Sequence, residues 1–262
     1  MKRRIISAIV ALIIIIPLII IGGYPFTVGI CLIAILGYKE IIDLKKSHNK
    51  FPPLIVTFGM FCILSLILSN YEDLTIYRGL TYQVITMIIL LLLVPTIFYK
   101  NDKYTTKDAF YLLGVVFLLG IIFNIFIIIR TRSLYLFFYL ILIPIITDTF
   151  AMLGGKYFGK HKLCPKLSPN KTWEGSIAGL IFGTIIGLLF YIFLVGDFSI
   201  RTLFVTMILS CMGQVGDLVM SKIKRENEIK DFSNIMPGHG GILDRLDSTI
   251  FVFLTYMFLL II

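Results

Sequence analysis

Nine apolar runs of 15 to 21 residues follow one another along this chain, and they restrict its fold more than any other feature. A helix needs about 20 apolar residues to cross the ~30 Å hydrocarbon core of a bilayer. Lipid tolerates only backbones whose hydrogen bonds are made internally, and the runs are too long and too uniformly apolar for strands. We therefore predict nine membrane-spanning helices at 5–21, 24–38, 54–69, 80–99, 109–129, 134–153, 175–195, 200–220 and 248–262.

The amino-acid composition supports this prediction. Hydrophobic residues make up 58% of the 262-residue chain and charged residues 15%, and the mean hydropathy is +0.96. A typical soluble domain has about 45–50% apolar and about 25% charged residues. These values exclude an ordinary soluble enzyme, a disordered protein and a fibrous repeat. They indicate an all-α fold, a polytopic helical bundle in a membrane.

The distribution of basic residues predicts which side of the membrane each connection faces. With a cytoplasmic N-terminus and nine crossings, 20 of the 24 lysines and arginines fall on the cytoplasmic side. Cytoplasmic connections of membrane proteins are enriched in these residues. We therefore expect a multi-pass protein of the cell membrane. Its net charge of +9 is better explained by anionic lipid or an anionic substrate than by nucleic acid.

Ionisable residues within the apolar runs are concentrated in the second half of the chain. This asymmetry divides the sequence into a five-span region, 1–133, and a catalytic four-span region, 134–262. The outer connections are short, so chemistry is expected in two cytoplasmic segments, 154–174 and 221–247. A transporter or channel is the alternative from another functional class. It would spread ionisable residues along a pathway through both halves, which this sequence does not do.

A polar stripe leads into the second cytoplasmic segment. Asp217 lies inside an apolar run, where a charged residue costs about 2.5–3.5 kcal/mol on insertion scales. Residues three or four apart share a helix face. One face therefore carries Gln214, Asp217, Ser221 and Lys224. The stripe indicates a functional site, although a simple pairing of Asp217 with a neighbouring lysine would also explain its charge.

Asp244 and Asp247 are three residues apart, so they would share one helix face at the start of the last span. Carboxylates from separate helices, beside lysine and arginine, suit a magnesium ion that bridges phosphates. The preceding stretch, Pro237 to Gly241, contains three glycines whose backbone N–H groups can approach an anion closely. Its alternative interpretation is a simple turn. Together, the carboxylates and the glycines favour a phosphate–metal site.

The first cytoplasmic segment is rich in lysine and precedes an apolar helix. Asp148 lies at membrane depth just before it. Ser168, Lys171 and Thr172 place two hydroxyls and an ammonium at a helix start, where anions bind well. Alternatively, the hydroxyls only cap the helix and the lysines are solvated. His161 is interpreted as a surface residue.

The stretch from Ser221 to Asp247 resembles the signature of the phosphatidate cytidylyltransferases, or CDP-diacylglycerol synthases. It reads S-K-I-K-R-x4-K-D-x-S-x2-M-P-G-H-G-G-I-L-D-R-L-D. The upstream tract D-T-x-A…G-G-K-x-F-G-K…L-S-P-N-K-T-W-E-G is similar to another cytoplasmic segment of that family. The resemblance covers about residues 145–250 in detail. Met152 stands where the family commonly has tyrosine, so a hydrogen bond from that hydroxyl is in doubt.

The resemblance implies transfer of CMP from CTP to phosphatidic acid, giving CDP-diacylglycerol and pyrophosphate in phospholipid biosynthesis. It implies magnesium as cofactor, with a second cation left open. The implied partners are CTP, phosphatidic acid and the lipid bilayer, and a homodimer is left open.

The resemblance also implies residue roles. Asp217 and Asp244 are the expected metal ligands. The expected catalytic residues are Asp217, Asp244, Lys224, Arg225 and Asp247. The expected substrate-binding residues are Asp148, Ser168, Lys171, Thr172, Ser221, Lys230, Asp231, His239, Gly240, Gly241 and Arg245.

A CTP-using lipid kinase, or a transferase acting on a different lipid phosphate, is the alternative within the same class. Such enzymes share the membrane setting. We know of no reason for them to keep the whole H-G-G-x-x-D-R-x-D tract, which favours cytidylyl transfer.

Overall fold

The computed structural model describes residues 13–44, 51–69, 82–99, 103–235 and 240–260. Each of the nine predicted runs overlaps a helix in these ranges, which confirms the all-α membrane fold class. The helices are α1 (13–21), α2 (Gly23–Asp43), α3 (Pro53–Leu68), α4 (Tyr82–Leu93), α5 (Thr106–Arg132), α6 (Leu134–Phe158), α7 (Trp173–Leu194), α8 (Ile200–Glu226) and α9 (Leu243–Leu259). A 3₁₀ turn, Val94–Ile97, follows α4.

One short hairpin interrupts the helical pattern. Strand β1 (Lys162–Cys164) pairs antiparallel with β2 (Ser168–Thr172), and the register between them shifts at an irregularity. These strands were not predicted, because they are only three and five residues long and lack the alternating apolar pattern of a half-buried strand. The hairpin brings the lysine-rich segment back to the start of α7.

Five described helices are long and apolar enough to cross a membrane, namely α2, α5, α6, α7 and α8. α6 and α8 continue beyond the predicted runs, so their polar ends carry Lys156 and Lys224. α9 begins at Leu243, five residues before the predicted run, so Asp244 and Asp247 belong to the last helix. Nine crossings and a cytoplasmic N-terminus remain predictions.

Hydroxyl caps set where three of these helices begin. Ser133 accepts a hydrogen bond from the backbone N–H of Leu136 at the start of α6, and Ser199 does the same at the start of α8. Thr172 caps α7 by accepting from the N–H of Gly175. Such caps satisfy backbone donors that have no partner inside the helix. The alternative interpretation of Thr172 as a helix cap is therefore observed, and its substrate-binding role stays a prediction.

The chain divides into two compact units. The first contains Met1–Thr131 and Phe232–Ile242, and the second contains Arg132–Asp231 and Leu243–Ile262. In the first unit α5 is more buried than the other long apolar helix, α2. Of the most apolar 18 residues of α5, 72% are buried. Its Asn124 donates a hydrogen bond of 2.8 Å to the carbonyl of Ile67. The proposed functional division at residue 133 stays a prediction.

The second unit is built by close packing of α6 against α7 and of α8 against α9. A Cβ at Gly179 of α7 would lie 2.6 Å from the carbonyl oxygen of Thr147, so only glycine permits this approach of the two backbones. Small residues at such crossings are typical of membrane helices. A buried hydrogen bond of 2.8 Å joins the hydroxyls of Thr147 and Ser210. This packing fixes the polar ends of α6, α7 and α8.

Candidate active site

A cavity of about 570 Å³ lies in the second unit, among α6, α7, α8 and the hairpin. One wall is apolar, with Ala151, Met152 and Leu163. The polar lining comes from several elements and comprises Asp148, Lys156, Asn170, Lys171, Thr172, Ser176, Gln214 and Asp217. A cavity with both an apolar wall and charged groups suits an amphipathic ligand.

An ion pair between the hairpin and α8 lines this cavity. The Nζ of Lys171 lies 2.6 Å from Oδ2 of Asp217, and both side chains are about a quarter exposed. Ser221, one turn further along α8, donates a hydrogen bond of 3.4 Å to Oδ1 of Asp217. The structure thus joins the two tracts that the sequence analysis treated separately. Asp217 is paired with a lysine, as the alternative explanation of its charge predicted, and it also lines the cavity.

A second ion-pair cluster joins α8 to α9. The Nζ of Lys224 lies 2.8 Å from Oδ1 of Asp244 and 3.8 Å from Oδ2 of Asp247. Lys224 is buried. A buried charge needs such partners, because leaving it unpaired is strongly destabilising. Lys224 therefore holds the carboxylates of the first turn of α9.

The two clusters interact electrostatically. The carboxylate of Asp247 interacts electrostatically with the carboxylates of Asp217 and Asp148 and with the ammonium group of Lys224. The carboxylate of Asp148, on α6, likewise interacts electrostatically with the carboxylate of Asp217 and the ammonium group of Lys171. Acidic groups from three helices thus converge on one region, and two lysines offset part of their charge.

Two serines that the sequence analysis missed hold the polar side chains in place. Ser248 donates a hydrogen bond of 3.0 Å to Asp148. Ser176 donates one of 2.6 Å to Oε1 of Gln214, whose amide nitrogen donates back to the carbonyl of Ser176. A serine in an apolar helix is common, so neither had a signal of its own. Only the predicted position of Gln214 on the polar stripe pointed to such a partner.

Glu174 closes the base of the hairpin, and it too was missed. Its carboxylate accepts hydrogen bonds from the backbone N–H groups of Lys160 and His161. It also lies 2.6 Å from Nδ1 of His161, whose side chain is 77% exposed. His161 is therefore a surface residue, as predicted, but it has an acidic partner. The available signal was the position of Glu174 in the first turn of α7, where carboxylates are favoured.

Comparison with known proteins agrees with this geometry. The chain matches the model of the cytidylyltransferase family over residues 2–262. It belongs to that family. It is 38% identical over 257 residues to a phosphatidate cytidylyltransferase of Staphylococcus haemolyticus, covering 96% of each chain. It is 38% identical to that of Staphylococcus aureus strain COL over 261 residues, again with 96% of each chain covered. It is 35% identical over 267 residues to that of Bacillus subtilis, with 99% of this chain and 97% of the relative covered.

Several residues expected from the family resemblance lie away from the cavity lining. Arg225 is exposed and donates a hydrogen bond of 2.9 Å to the carbonyl of Ile229. Lys230 and Asp231 are exposed beyond α8, and Arg245 is exposed in α9. Ser168 is half-buried at the start of β2.

The glycine-rich stretch before α9 is described only in part. Gly240 and Gly241 are buried and belong to the first unit, whereas His239 lies outside the described residues. Their predicted contact with substrate stays a prediction.

The residues predicted to bind metal are carboxylates, which hard cations such as magnesium prefer as ligands. Among the described residues no three acidic, histidine or cysteine side chains are grouped closely enough to hold a metal by themselves. Magnesium, however, is usually bound by one or two carboxylates together with phosphate oxygens. Asp217 and Asp244 supply the oxygen ligands that it prefers. Lys171 and Lys224 are positioned to balance those charges.

Proposed function

We propose that this chain transfers CMP from CTP to phosphatidic acid and releases CDP-diacylglycerol and pyrophosphate in phospholipid biosynthesis. Relatives named phosphatidate cytidylyltransferase share 35–38% identity with it over 96–99% of its length, which supports this activity. The structural observation that carries the proposal is the Lys171–Asp217 ion pair in a cavity with an apolar wall. Such a cavity offers a charged site for a phosphate beside apolar side chains that can contact the lipid.

The reaction needs no protein nucleophile. A phosphate oxygen of phosphatidic acid attacks the α-phosphorus of CTP, and a new phosphorus–oxygen bond forms. The bond from the α-phosphorus to the oxygen that bridges it to the β-phosphate breaks, and that oxygen leaves with pyrophosphate. Phosphoryl transfers of this kind depend on positioning and on neutralisation of charge.

The chain's own residues supply both effects. Lys171 is accessible from the cavity, and an ammonium group is a common partner for phosphate. Lys224 fixes Asp244 and Asp247 at the start of α9. Asp217 and Asp244 would hold magnesium, which when bound screens the phosphate oxygens and polarises them. We assign Arg225, Lys230 and Arg245 to further phosphate contacts, because each carries an exposed cation close in sequence to these groups.

The proposal places the reaction at the cytoplasmic face of the cell membrane. Phosphatidic acid stays in the bilayer, whereas CTP is a water-soluble nucleotide of the cytoplasm. The polar ends of α6 and α8, with the hairpin between α6 and α7, supply lysines for both substrates. Their excess of positive charge agrees with a cytoplasmic orientation.

Turnover by the purified protein tests the activity. The protein in detergent is incubated with phosphatidic acid, magnesium and CTP labelled either on the α-phosphate or on the γ-phosphate. Cytidylyl transfer puts the α-label on lipid and the γ-label in pyrophosphate. A γ-label on lipid would instead show a kinase, and no label on lipid would contradict the proposal. Omission of magnesium, followed by its restoration, tests the metal requirement in the same assay.

A further inference from the structure

Glu40 is a buried carboxylate in the first unit. It lies near the end of α2 and is 1% exposed. A buried carboxylate is costly unless its oxygens accept hydrogen bonds. The hydrogen-bond partners of Glu40 therefore indicate which part of the chain this carboxylate stabilises.

Two of these partners flank the glycine-rich stretch nearly 200 residues later. Ser233 donates a hydrogen bond of 2.6 Å to Oε1 of Glu40. The backbone N–H of Ile242 donates one of 2.8 Å to the same oxygen. Glu40 thus fastens both described ends of the segment Phe232–Ile242, which belongs to the same unit as α2.

Gly241 shows how close this contact is. A Cβ at that position would lie 2.5 Å from Oε1 of Glu40. Any side chain at position 241 would have to displace the carboxylate or the backbone. The glycine therefore permits the bond between Glu40 and the N–H of the next residue.

The position of this anchor bears on the reaction. Ile242 directly precedes Leu243, the first residue of α9, and Asp244 is the second. Glu40 itself carries the wrong charge to bind a phosphate, and its burial keeps it from solvent. Its described hydrogen bonds to Ser233 and Ile242 indicate that it acts through the segment that it holds.

We propose that Glu40 is a positioning residue for cytidylyl transfer, because it fixes the backbone that leads into the acidic first turn of α9. This inference rests on the proposed function. It assigns a part in the reaction to a helix of the N-terminal region, where the sequence analysis expected none.

Kinetics and hydrogen exchange of Glu40→Gln and Glu40→Ala test the proposal. Loss of a buried hydrogen bond to a charged group loosens the anchored backbone, so kcat per folded molecule should fall about 10- to 100-fold. Amide exchange in residues 232–235 and 240–242 should become faster. Asp43→Asn is the matched control, since Asp43 is exposed one turn further along α2. It should leave both measurements unchanged.

A double-variant cycle keeps the test independent of overall stability. Gly241→Ala alone should speed amide exchange in residues 240–242, because its new methyl group collides with Glu40. In the background of Glu40→Ala the same substitution should add little to the exchange rate, because the colliding carboxylate is gone. Additive effects of the two changes would contradict a direct coupling.

The outcomes separate this proposal from the proposed function. Faster exchange in the Glu40 variants with unchanged kcat would overturn the positioning role, and so would unchanged exchange. A wild-type protein without cytidylyl transfer would refute the activity on which the positioning role rests. Faster exchange in the Glu40 variants would then still establish the anchor as a structural feature alone.

Discussion

At the scale of single residues, the two central lysines differ in what they can reach. The side chain of Lys171 is 25% exposed and lines the cavity, whereas that of Lys224 is 10% exposed between two aspartates. A phosphate can approach Lys171 at the expense of one partly solvated ion pair. To reach Lys224 it would have to displace carboxylates in a buried cluster. We therefore expect Lys171 to contact substrate and Lys224 to organise α9.

Replacing either metal-binding candidate should abolish turnover. Asp217→Asn and Asp244→Asn keep the side-chain volume but remove a negative charge that magnesium would need. We expect kcat to fall at least about 100-fold, the scale of losing one preorganised electrostatic contact. Asp197→Asn is the control, because Asp197 is exposed and lies outside the cavity. Near-normal turnover of either variant at saturating magnesium would refute the assignment.

Removing the charge of Lys171 should weaken substrate binding. In Lys171→Met the side chain keeps its length but loses the ammonium group that pairs with Asp217. We expect KM for CTP or phosphatidic acid to rise about tenfold or more, as for a lost charged hydrogen bond. Lys166→Met, at an exposed position in the same hairpin, should behave as wild type. Equal kinetics for the two variants would show that Lys171 does not contact substrate.

At the scale of elements, the hairpin carries Lys171 on β2. Glu174, in the first turn of α7, secures the base of the hairpin. The backbone N–H of Trp173 also donates a hydrogen bond of 3.0 Å to the carbonyl of His161. Backbone bonds and the Glu174 carboxylate therefore hold the same corner, three residues from Lys171. The exposed imidazole of His161 adds one further contact.

His161→Ala and Glu174→Ala should therefore differ. An exposed ion pair contributes little to stability, so His161→Ala should retain activity within tenfold of wild type. Glu174→Ala also removes the acceptor for two backbone N–H groups and should cost more. Initial rates of the purified variants measure this difference. A loss beyond tenfold in His161→Ala would show that the imidazole has a larger role than its exposure suggests.

Much of this site could be predicted from sequence where one helix carries the signal. The stripe of Gln214, Asp217, Ser221 and Lys224 follows from helical spacing alone, and all four lie in α8. The pairing of Lys171 with Asp217 did not follow, because spacing gives no information about contacts between elements. Ser176 and Glu174 were missed for the same reason.

Glu40 shows the same limit over a longer distance. In sequence it sits among charged residues at the end of an apolar run, a pattern typical of a helix end on lipid headgroups. The structure instead buries it against Ser233 and Ile242. Local pattern cannot distinguish a solvated carboxylate from one that is held by a distant segment.

At the scale of the whole molecule, the reaction fixes which ends of the helices must face CTP. The Lys171–Asp217 pair and the acidic first turn of α9 are the charged parts of the candidate site. Both must face the cytoplasm if the nucleotide is to reach them. The same orientation follows from the bias of 20 out of 24 basic residues under nine crossings. Chemistry and charge distribution thus make the same topological prediction.

Labelling single cysteines in intact cells tests that topology. Cys31, Cys62, Cys164 and Cys211 are first replaced. Cysteines introduced at 103, 161 or 228, all at exposed positions, should resist a membrane-impermeant reagent until the cells are permeabilised. A cysteine appended after position 262 should react without permeabilisation, because nine crossings put it outside. Labelling at 161 or 228 in intact cells would place the lysine-rich segments on the outer side of the membrane, away from cytoplasmic CTP. The predicted number of crossings and the catalytic proposal would then both be wrong.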